Sequence, residues 1–179
     1  MTPFSVSIYP ELEETGGYVE LSGVLDEPCY YRGDIKFDTP KGIAYNLQLS
    51  NTGEAILLTG TVSTHAHTIC DRCLEPAKLD VEGEAEGYYL LEKADQVEGK
   101  DVDEFDCVDE KSNINLSDAL LGALVYATPF VVLCKEDCKG LCPHCGANLN
   151  EGSCSCDADD DIDPLSPFAA LKDFKFDNN

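Results

Sequence analysis

Residues 55–91, AILLTGTVSTHAHTICDRCLEPAKLDVEGEAEGYYLL, decide how the chain folds. Before the cysteine pair, Ile56, Leu58, Val62 and Ala66 fall on one face, with Thr59, Thr61, Ser63, His65 and His67 on the other. After it, Leu79, Val81, Ala85, Tyr89 and Leu91 oppose Asp80, Glu82, Glu84, Glu86 and Tyr88. Alternation with a period of two marks a strand with one buried and one wet face. Two long strands therefore flank Cys70-Asp71-Arg72-Cys73 as an antiparallel pair.

Upstream, Phe4, Val6 and Ile8 alternate with polar neighbours, as do Ile43, Tyr45, Leu47 and Leu49. Residues 18–24 add a short strand through Val19 and Leu21, and Asn51-Thr52-Gly53 supplies a turn. Cys29 lacks a local thiol partner and reads as a packed residue. Residues 1–91 are thus expected to form a β-rich domain, a twisted antiparallel sheet of barrel-like form. Downstream, residues 92–111 are rich in acids and poor in large apolar side chains, which predicts a mobile acidic loop. It holds one short strand near Phe105 to Val108, and its Cys107 is not expected to be a ligand. Residues 112–133 predict a helix packed on the sheet, with Ser117 as N-cap, Leu116 stapling to Leu121, and Pro129 ending it. Together these make an α+β protein.

Residues 134–179 form a separate module, opening on CKEDCKGLCPHCGANLNEGSCSC (134–156), where six of the ten cysteines fall. Cys142-Pro143-His144-Cys145-Gly146 is a tight turn that presents two thiolates to one tetrahedral ion, with glycine free to take positive φ after the second. Cys134, Cys138, Cys154 and Cys156 stand close by. One structural zinc held by Cys142 and Cys145 plus two of those four is expected, with disulfides as the competing use. Cys70 and Cys73 have the same spacing. They form either a second site, for which His65 and His67 are candidate partners, a turn presenting Arg72 to a partner, or a redox dithiol. A thioredoxin-like dithiol wants a helix N-terminus, which this pair between strands lacks.

Past the cysteines, Asp157, Asp159, Asp160, Asp161 and Asp163 read as a solvated acidic run, since the glycine turn and terminal Glu of a calcium loop are missing. Asp163-Pro164 opens a last helix carrying Leu165, Phe168, Leu171 and Phe174. The first residues have no signal-peptide pattern, and no apolar run reaches about 18 residues, so a cytoplasmic protein without membrane contact is expected. With 35 acidic against 12 basic residues, the net charge of −23 repels a phosphate backbone. A basic protein is the expected partner. No phosphate loop, HExxH, nucleophile elbow or deaminase signature is present, so the chain is expected to be non-catalytic.

The order of these features resembles the YceD/YlbN family, the large ribosomal RNA subunit accumulation proteins, in a branch with a cysteine-rich C-terminus. The residues that carry the resemblance are Cys70-Asp71-Arg72-Cys73-Leu74-Glu75-Pro76, the helix near 116–128, and Cys134. It continues through Cys138-Lys139-Gly140-Leu141-Cys142-Pro143-His144-Cys145-Gly146, Asn148-Leu149-Asn150, Cys154, Cys156 and Asp163-Pro164. The resemblance spans roughly residues 20–175. It implies a non-enzymatic cytosolic factor that supports accumulation of large-subunit ribosomal RNA and assembly of that subunit. Its partner would be a basic large-subunit ribosomal protein or a pre-ribosomal particle. Leu165 stands where the family pattern has arginine, so any direct RNA contact is left to the region around Arg72. The other function considered is a thiol-based redox protein using Cys70 and Cys73.

Overall fold

The computed structural model describes residues 4–91, 106–109 and 112–156. The chain divides into two units, Met1–Cys138 and Lys139–Asn179. In the first, strands β1 (Ser5–Ser7), β2 (Tyr18–Leu25), β3 (Cys29–Arg32), β4 (Ile35–Asp38), β5 (Ile43–Asn51), β6 (Ala55–Ile69), β7 (Pro76–Leu90), β8 (Asp106–Cys107) and β9 (Asn113–Asn115) precede one helix, α1 (Ser117–Ala127). β6 and β7 pair antiparallel along their whole length, from Ala55 opposite Leu90 to Ile69 opposite Pro76. Ile56, Leu58, Val62 and Ala66 of β6 and Val81, Ala85 and Tyr89 of β7 are buried, as their alternation predicts. Each fully buried Leu or Ile contributes about 1.5–3 kcal/mol relative to exposure, so this hairpin with Leu47 and Leu49 of β5 anchors the core.

The second edge of β6 is divided between two partners. Residues 56–63 pair with β5, while His67 pairs with Asp38 of β4. β5 in turn pairs with β2, and β4 with β3, giving seven strands with β7 and the parallel β8. A separate pair joins β1 to β9. The expected barrel-like closure does not occur: among the described residues β2 and β3 each have one partner, and β7 meets only β8 on its outer edge. The sheet does not need closure, because α1 rather than another strand covers its apolar face at β7.

That packing depends on Gly83. A Cβ there would stand 2.5 Å from the carbonyl oxygen of Ala123, so the helix lies directly on strand backbone. Leu120, Ala123 and Leu124 are the buried side of α1. Its N-cap is Leu116, not Ser117 as expected, and no side chain caps it. The Ser117 hydroxyl instead accepts from the N–H of Phe4 at 2.8 Å, fastening β1 to the helix start. Beyond the helix, the Arg32 guanidinium donates to the carbonyl oxygens of Thr128, Pro129 and Phe130. It lies 5.5 Å from the ring centres of both Phe37 and Phe130. The expected acidic loop at 92–111 falls largely outside the described residues, as do the acidic run at 157–163 and the last helix. The short strand expected within that loop is β8.

The second unit is built differently. Over residues 139–156 its order rests on turns: Leu149 N–H donates to Gly140, Lys139 N–H to the side chain of Asn150, and Leu141 bridges Asn148. Among its described residues the one buried apolar side chain is Cys142. Among the described residues, 139–156 are therefore joined by turns and by their clustered sulfurs rather than by buried apolar side chains.

Candidate metal centres

Two turns of the same design carry the CxxC pairs. In the first, Cys70 N–H donates to the carbonyl of Glu75 at 2.8 Å and Leu74 N–H returns to the carbonyl of Cys70 at 3.0 Å. In the second, Cys142 N–H donates to Ala147 at 2.8 Å and Gly146 N–H returns to Cys142 at 2.9 Å. The residue after the second cysteine has positive φ in both, 62° at Leu74 and 73° at Gly146. This geometry turns the backbone N–H groups of each loop inward, toward the first sulfur. Those of Cys73 and Arg72 bond the sulfur of Cys70, and those of Cys145 and His144 bond that of Cys142.

Each turn meets two further cysteines. Cys70, Cys73, Cys134 and Cys138 form one group and Cys142, Cys145, Cys154 and Cys156 another, with all four sulfurs of a group within 4.8 Å of one another. Cys70 Sγ is 3.7 Å from Cys138 Sγ, and Cys73 Sγ is 3.5 Å from Cys134 Sγ. Four sulfurs placed about 2.3 Å from one tetrahedral ion stand about 3.8 Å apart, whereas a disulfide needs about 2.05 Å. Both groups are therefore compatible with metal coordination, and none of the eight cysteines is held in a disulfide.

Within each group, two thiols are driven in opposite directions. Burial pushes Cys70 up, but the backbone N–H groups of Cys73, Arg72 and Cys134 overcome it and bring the thiol down to about 6. Cys134 is pushed up to about 12 by burial and by the neighbouring thiols of Cys73, Cys138 and Cys70. In the second group the N–H groups of Cys145 and His144 hold Cys142 at about 6. The Cys145 thiol and burial raise Cys156 to about 12.

The residues between Cys70 and Cys73 clasp the segment that follows α1. Asp71 N–H donates to the carbonyl of Val132 at 2.9 Å, and the Asp71 carboxylate accepts from Val132 N–H at 2.6 Å. Arg72 donates to the carbonyl of Cys138 at 3.0 Å while its side chain stays largely exposed. The six cysteines of 134–156 are thus not one pool: Cys134 and Cys138 join the hairpin turn, and the other four close among themselves. The His-Cys site does not form. His65 pairs with Asp80 across the hairpin, and neither His65 nor His67 belongs to a sulfur group. Arg32, which fixes the entry to Cys134, was not legible as a site residue, because its partners are backbone carbonyls.

Glu82, Gly83, Glu84 and Glu86 of β7 line a groove with Asp118, Gly122 and Tyr126 of α1. Tyr126 is 95% exposed. Among the described residues no helix is long and apolar enough to cross a membrane.

The described residues thus present a helix-covered open sheet, two four-thiol groups and a carboxylate-lined groove. The chain belongs to the YceD family: residues 58–175 match the model of the large ribosomal RNA subunit accumulation protein YceD. It is similar to uncharacterized proteins of Mycobacterium bovis and Mycobacterium tuberculosis, 28% identical over 149 residues, which is 83% of this chain and 72% of each relative. An uncharacterized protein of Mycobacterium leprae is 28% identical over 108 residues, 60% of this chain and 49% of that one. No solved structure matches.

Proposed function

We propose that the chain is a non-catalytic cytoplasmic factor that supports accumulation of large-subunit ribosomal RNA. It acts by binding a basic large-subunit ribosomal protein or an assembling particle. Membership of the YceD family carries the reading. The acidic surface supports the choice of partner: a net charge of −23 and the groove of Glu82, Glu84, Glu86 and Asp118 attract lysine- and arginine-rich chains and repel phosphate. Arg72, partly exposed, is the one place proposed for direct contact with an RNA-bearing particle.

One structural zinc belongs to this reading, held by Cys142, Cys145, Cys154 and Cys156. The donor set is all sulfur and closed, which suits a structural ion rather than a catalytic one with an open position. A redox role for Cys70 and Cys73 has less support: both are buried, and each sulfur faces a cysteine of 134–138 rather than solvent.

Affinity capture of the protein at low and at physiological salt tests the partner. The expected result is recovery of a basic large-subunit protein or particle, weakening as salt rises. Tight binding of the isolated protein to bare ribosomal RNA would overturn it.

A further inference from the structure

We infer that Cys70, Cys73, Cys134 and Cys138 hold a second structural zinc ion, one that welds the β6–β7 turn to the segment leaving α1. Three observations converge on it. The sulfur spacings of 3.5 and 3.7 Å match the edge of a tetrathiolate tetrahedron. The turn at Cys70–Glu75 repeats, hydrogen bond for hydrogen bond, the one at Cys142–Ala147. It does so although its fifth position is Leu74, a residue that left-handed backbone disfavours by about 1–2 kcal/mol. A turn whose only task was to reverse the chain would have no reason to hold a leucine there; a turn whose N–H groups must face a thiolate does.

Burial points the same way. Cys70, Cys73 and Cys138 are 0, 3 and 2% exposed, inside a unit that has its own apolar core. Three buried thiols and a fourth, that of the exposed Cys134, gain little from one another as neutral groups. As thiolates around a divalent cation they are both neutralised and satisfied. Asp71 and Arg72 fasten the turn to the segment that follows α1, through Val132 and Cys138. The ligands of one centre come from positions 61 and 68 residues apart, so the ion closes a long loop that backbone hydrogen bonds close only at its rim. The donor chemistry also suits iron, which a metal assay of the purified protein distinguishes from zinc.

The inference stands apart from the ribosomal reading, and its test does not use a partner. Full-length protein purified under reducing conditions is assayed for metal by plasma mass spectrometry, alongside C70S/C73S and C142S/C145S. Two zinc ions per wild-type chain and one in each double variant are expected. Should C70S/C73S fail to fold, C142S/C145S still decides: titrated with cobalt(II), it should take up one equivalent with the visible bands and sulfur charge transfer of a tetrathiolate. One zinc per wild-type chain, no tetrathiolate cobalt in C142S/C145S, iron in place of zinc, or an intact mass showing Cys70–Cys138 and Cys73–Cys134 oxidised would each overturn it.

Discussion

Leu74 occupies a backbone conformation that the matching turn of the small unit gives to Gly146. Its side chain is 61% exposed, so little packing repays the strain. Replacing it by glycine relieves the left-handed penalty but loosens the unfolded chain, and the two effects leave a net stabilisation of about 0.5–1 kcal/mol. Denaturant unfolding of metal-loaded Leu74→Gly measures it, and a destabilised variant would show that the exposed leucine is held for contact, not tolerated. The pair Cys70/Cys73 was readable in the sequence as a knuckle. Its partners were not, because spacing reports ligands that are neighbours in the chain and is silent about Cys134 and Cys138, which arrive only after a helix has folded back.

Among the elements, the β6–β7 hairpin was largely legible, since alternation fixes which side chains are buried, although Leu79 is only half-buried and Leu90 rather than Leu91 is the buried leucine at the end of β7. The β3–β4 hairpin was missed although its signal was present: Gly33-Asp34 sits between Tyr30 and Phe37, whose rings stack at 5.0 Å. Four-residue strands are too short for alternation to stand out. Closure was misjudged for a different reason, since a strand pattern identifies faces but not whether a strand or a helix covers them. Gly83 is where that choice is made. Gly83→Ala forces a methyl group to within 2.5 Å of the Ala123 carbonyl, and either the helix lifts or the strand bends. A loss of about 1–3 kcal/mol, seen as a lower denaturant midpoint with the β signal intact, is expected; an unchanged midpoint would mean that α1 already rides loosely on β7.

For the whole molecule, the contrast is between a unit with an apolar core and a stretch, residues 139–156, whose described side chains include a single buried apolar one, Cys142. A strong chelator at neutral pH should abolish the amide dispersion of residues 139–156 while the sheet resonances of β5, β6 and β7 persist, because structural zinc supplies about 10–16 kcal/mol to small modules that cannot fold alone. Collapse of the sheet at the same chelator concentration would show that the hairpin centre, not the core, holds the first unit. The long separation between the ligands of that centre also has a consequence in time. At about 5–20 residues per second, a ribosome that has just made Cys73 needs about 3–12 s to reach Cys134, 61 residues later. Through that interval the nascent chain carries both thiols of the hairpin turn without the two partners they meet in the folded protein, while it is still attached to the machine that makes it.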